Sequence, residues 1–137
     1  MLHPDVLADL LDSEVALARN ALGEGRTADL QRDGCSLVMT LVRPDGSWRL
    51  RLDGTRYDAE PFDIAFVDDA GEILPLESWP PNYAHGVHPV LGRPWVCVSG
   101  TRGFYLYEGH HTERWDAVRY TARADTLLDR LLTKAGM

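Results

Sequence analysis

The residues able to do chemistry gather in one part of the chain. The segment from Trp79 to Cys97, WPPNYAHGVHPVLGRPWVC, holds two of the four tryptophans, two of the five histidines and one of the two cysteines. A thiolate at Cys97 can take up an acyl group by exchange from another thioester, a reaction that needs an accessible sulfur and no strong base. His88 can hold loop backbone by hydrogen bonds. His110 and His111, beside Glu108 and Glu113, can act as a base on an incoming amine or lower the thiol pKa. That role requires the Phe104–Tyr107 run to pair back near Cys97. Asn82 offers an amide N–H suited to charge developing on a carbonyl oxygen, and its place after Pro80-Pro81 equally suits a turn. Cys35, next to Gly34 at a strand start, is expected to pack rather than react.

The same residue types allow another chemistry. His85, His88, Cys97 and His110 or His111 are types that bind zinc, so a small metal-binding protein is an alternative reading. No Cys-x-x-Cys or His-Glu-x-x-His pattern is present. A zinc deaminase would need a second cysteine where Gly100 stands. No metal and no cofactor is assigned on these residues.

The loop is too broken by proline and glycine to be one helix or strand, and its prolines make it extended and stiff. Other elements must therefore hold it. Pro4 and Asp5 mark a helix start, and Val6, Leu7, Leu10, Leu11, Val15, Ala18 and Leu22 share one face before Gly23. The spacing predicts an amphipathic helix over about 4–22. Strand formers fill 36–42, and Pro44-Asp45-Gly46 turns the chain. Trp48, Leu50 and Leu52 alternate with Arg49 and Arg51, and Phe62, Ile64 and Phe66 form a third alternating run. After Cys97, residues 99–103 read as a turn and Phe104–Tyr107 as a short strand. Trp79, Trp95 and Trp115 are expected to pin the loop, each N–H seeking a partner. Leu127, Leu128, Leu131 and Leu132 predict a last helix over about 122–135. Helix, antiparallel meander, loop and helix make an α+β pattern in one domain, 1–137.

With 137 residues and 45% hydrophobic content, the chain can bury a core. Its formal charge of −7 speaks against nucleic acid as partner. The start, MLHPDVLADLLDSE, is acidic and amphipathic, without the pattern of a signal peptide or membrane span, so a cytoplasmic protein with reduced cysteines is expected.

The order of these features resembles the ubiquitin-conjugating enzymes. That family has a tyrosine, then a proline four positions on, an aliphatic residue seven on and an aromatic nine on; Tyr57, Pro61, Ile64 and Phe66 stand at those offsets. It also has His-Pro-Asn upstream of a catalytic cysteine followed by a tryptophan, as His88-Pro89 precedes Cys97 and Trp115 follows. Trp-Pro-Pro, Pro-Trp-Val-Cys, Gly-Thr-Arg and Trp-Asp look like the compact bacterial relatives, encoded beside ubiquitin-like proteins and adenylating enzymes of the ThiF type. The resemblance spans about Leu2 to Leu132. It implies a UBC-like fold with Cys97 as thioester carrier and His88 as a loop support. It also implies a ubiquitin-like protein and a ThiF-type activating enzyme as partners, a target amine as acceptor, and a place in antiphage defence. Two departures stand out: Val90 occupies the asparagine position, and about ten extra residues separate Cys97 from Trp115.

Overall fold

The computed structural model describes residues 2–110 and 113–134, and of His110 the backbone only. Helix α1 runs over Pro4–Leu22, as its periodicity predicts. His3 caps it, its Nδ1 accepting the Asp5 N–H at 3.2 Å, and Gly23 ends it at φ 86°. Four strands follow: β1 (Gln31–Asp33), β2 (Ser36–Arg43), β3 (Gly46–Asp53) and β4 (Asp63–Val67). They pair antiparallel in chain order, β1-β2-β3-β4. The first strand has no apolar alternation to betray it; Gln31, Arg32 and Asp33 are all exposed, and pairing to β2 alone defines it.

Register puts Leu37, Met39 and Leu41 of β2 opposite Leu52, Leu50 and Trp48, and Leu52 and Leu50 opposite Ile64 and Phe66. This apolar face meets α1 (Leu7, Leu11, Val15, Ala18) and the last helix, α4 (Ala124–Lys134), through Leu127, Leu128, Leu131 and Leu132, in one core. Each fully buried leucine contributes about 1.5–3 kcal/mol by leaving water. Between β4 and α4 the chain is mostly irregular, with short helices α2 (Arg102–Leu106) and α3 (Trp115–Val118). Among the described residues no helix is long and apolar enough to cross a membrane.

One ionic knot lies inside. Glu14 on α1 is 2% exposed. It accepts the Tyr57 hydroxyl and, at 2.9 Å, Arg123 Nε. Arg123 also donates to Asp58 Oδ1 at 2.8 Å, and its guanidinium lies 4.8 Å from the Tyr57 ring centre. The knot ties α1, the turn before β4 and the approach to α4 to one another.

Candidate functional site

The segment from Trp79 to Cys97 is a packed loop anchored at both ends. At its start Trp79 sits edge-on to Phe66 at 5.2 Å and donates its indole N–H to the Leu74 carbonyl at 2.8 Å. Tyr83 reaches α4, donating its hydroxyl to the Leu131 carbonyl at 2.6 Å. Beyond these anchors the loop folds back on itself. Val87 bridges Pro94, and the His85 N–H donates to the Trp95 carbonyl at 2.7 Å.

His88 is the keystone of this hairpin and is fully buried. Its Nδ1 accepts the backbone N–H of Val90 at 3.0 Å and of Leu91 at 3.1 Å. An acceptor at Nδ1 places the ring hydrogen on Nε2, which donates to the Gly103 carbonyl at 2.9 Å. The ring also meets Trp95 at 4.6 Å and Tyr107 at 6.0 Å. Gly103 lets α2 approach this closely: a Cβ there would lie 2.9 Å from Trp95 Cε3. One imidazole thus ties the loop tip to the helix that follows Cys97. Arg93 adds a second tie, pairing with Asp63 at the start of β4, where Arg102 also lies within 3.9 Å.

Cys97 sits between these anchors, partly exposed. It is the central residue of a three-residue turn closed by the Val98 N–H on the Val96 carbonyl at 3.0 Å. No strand runs through Trp95–Cys97. Burial pushes the Cys97 thiol up from its ordinary value of 9.0. Two residues on, Ser99 is held twice: its hydroxyl donates to Glu113 at 2.7 Å, and its carbonyl accepts Arg130 Nη1 of α4 at 2.8 Å. Thr101 then caps α2, its side chain accepting the Phe104 N–H at 3.3 Å.

The structure corrects several expectations. Phe104–Tyr107 is not a strand; Arg102–Leu106 is helical because Thr101 caps it and Gly103 packs under Trp95. The strand pairing that would carry the 110–111 histidines back toward Cys97 is therefore absent. His110 closes a 3-10 turn over Glu108–His110, and the side chains of His110 and His111 lie outside the described residues. Asn82 is exposed with φ 69°, a turn conformation that Asn tolerates. Its neighbour Pro81 accepts Arg43 at 2.6 Å, so this turn lies against the β2–β3 hairpin. Cys35 is exposed rather than packed, because it lies in the two-residue turn between β1 and β2. Val90, at the position where the resemblance expects asparagine, is 65% exposed, and Val87 is 56% exposed. Trp115 behaves as expected, 8% exposed with its N–H on the Asp58 carbonyl at 3.0 Å.

Sequence reasoning missed the Ser99–Glu113 and Ser99–Arg130 contacts, which join residues 14 and 31 positions apart. Among the described residues no three His, Cys, Asp or Glu side chains converge as a metal site. The sequence matches no protein-family model and no curated protein.

Proposed function

We propose that this protein is a UBC-like conjugating enzyme that accepts the C-terminus of a ubiquitin-like protein as a thioester on Cys97. The carrying observation is the display of Cys97 on a turn braced on both sides, by His88 on Trp95 and Gly103 before it and by Ser99 after it. A braced, partly exposed cysteine suits a carrier, because transfer from one thioester to another costs little and asks mainly for position.

In this reading a ThiF-type enzyme spends ATP to make the first thioester. The Cys97 thiolate attacks its carbonyl carbon, the bond to the donor sulfur breaks, and the donor leaves as thiolate. A target amine then attacks the new thioester, the carbon–Cys97 bond breaks, and the amine proton passes to a base or to water. The role in antiphage defence belongs to the same proposal.

A second reading, a non-catalytic binding module with the same scaffold, draws on two observations. Valine stands where the resemblance expects the amide donor, at Val90, and burial pushes the Cys97 thiol up, away from the thiolate that transfer needs. One incubation separates the two. The protein is mixed with a ThiF-type activating enzyme, its ubiquitin-like substrate and ATP, and run with and without reductant. The expected result is a reductant-sensitive adduct that Cys97→Ala abolishes and Cys35→Ala retains. An adduct-free reaction in which the activating enzyme itself is charged would exclude the carrier reading.

A further inference from the structure

A cleft of about 380 Å³ opens between the turn before β4, helix α2 and the start of α3. Its apolar wall is Pro61, Tyr105 and Trp115, and its carboxylates are Glu60, Glu113 and Asp116. The Tyr105 and Trp115 rings pack against each other at 5.9 Å and 59°, making a continuous aromatic corner. We propose that this cleft receives an arginine side chain of a partner polypeptide.

Charge and shape carry the argument. The lining carries three acidic residues and one basic residue, Arg114. Two of the acidic residues are engaged only weakly from outside: Glu60 by Arg56 at 3.4 Å and Asp116 by Arg119 at 3.9 Å, both on open surface where such pairs contribute little. Glu113 accepts the Ser99 hydroxyl, and a carboxylate has room for further donors. The Tyr105 hydroxyl is enclosed beside Ser99 and Glu113, yet makes no well-formed hydrogen bond among the described residues. A guanidinium fits this set better than an ammonium: its plane stacks on an aromatic face while its edge donates to carboxylates in parallel.

The test needs neither Cys97 nor a ubiquitin-like partner, so its outcome is independent of the carrier reading. The ¹⁵N-labelled protein is titrated with Nα-acetyl-arginine amide, and in parallel with the citrulline and lysine analogues, while the Trp115 indole N–H resonance is followed. Arginine is expected to give a saturable shift at that indole with an affinity on the order of millimolar, as befits one side chain. Citrulline, lacking the charge, should bind about fivefold or more weakly, and added salt should weaken arginine. Asp116→Asn and Glu60→Gln should each reduce arginine affinity by about fivefold, with an otherwise unchanged spectrum showing that the fold is intact. Equal shifts from arginine and citrulline, no saturable shift, or tighter binding of lysine would each overturn the proposal.

Discussion

Replacing His88 with alanine should loosen the loop that presents Cys97 before it unfolds the domain. The substitution removes three hydrogen bonds and leaves the Gly103 carbonyl without its donor on a buried residue. That carbonyl alone costs about 1–3 kcal/mol. The Val90 and Leu91 N–H groups lie at a partly exposed tip within reach of water, so each loses about 0.5–1.5 kcal/mol. Together these come to about 2–6 kcal/mol, to which lost packing on Trp95 adds, out of a typical 5–15. Asparagine at 88 should be milder, since its oxygen can still accept the Val90 and Leu91 N–H groups as in an Asx turn. Urea denaturation would give the stabilities, and the rate of Cys97 alkylation in a Cys35→Ala background would report the loop. Wild-type midpoint and alkylation rate in His88→Ala would refute the keystone argument. Alanine and asparagine behaving alike would refute the part given to Nδ1.

Three other outcomes follow from particular contacts. Gly103→Ala drives a methyl to 2.9 Å from the Trp95 ring and should cost about 1–3 kcal/mol, read from the same urea curves. Arg123→Met strands the Glu14 carboxylate in the core and should cost about 3–5 kcal/mol, most of it recovered in Glu14→Gln/Arg123→Met because the buried charge is then gone. Burial pushes the Tyr83 hydroxyl up from 10.0 to about 12, and burial together with Glu14 pushes Tyr57 up further. Raised acids of this kind favour the protonated folded state, so their contribution is complete below pH 10 and declines as pH rises through 12. Thermal melts should show that decline, and Tyr83→Phe should flatten it.

The two long helices, α1 and α4, and the three apolar strands were legible from helical spacing, from alternation in β3 and β4 and from the strand formers of β2. Leu7, Leu11, Val15 and Ala18 repeat at helical spacing, and Leu50 and Leu52 alternate with arginines, whatever surrounds them. The loop was legible as a stiff, packed segment from its prolines and tryptophans. Three elements were not, α3 (Trp115–Val118) among them. Gln31–Asp33 is a strand only because β2 offers it hydrogen bonds, and Phe104–Leu106 looks like a strand by composition yet is helical. The missing clue was local: Thr101, three residues before Phe104, is a helix cap, and a short aromatic run has no period strong enough to oppose it.

The braces around Cys97 show why the site is harder to read than the fold. His88 was singled out by the resemblance at His88-Pro89, but its Gly103 partner is a carbonyl and leaves no mark in the residue type. Ser99 looked like turn filler, since its significance depends on Glu113 and Arg130 arriving from other elements. Glu14 drew no reading from the sequence, although it lies on the buried face of α1 and is matched by an arginine 109 positions away. In each case the side chain's role is fixed by a partner that the core brings to it. A periodic pattern specifies which face is buried, and only packing specifies what that face must satisfy. Substitutions at Ser99, Glu113 and Arg130 should therefore act on Cys97 through the turn they hold, and do so at little cost to the helices and sheet.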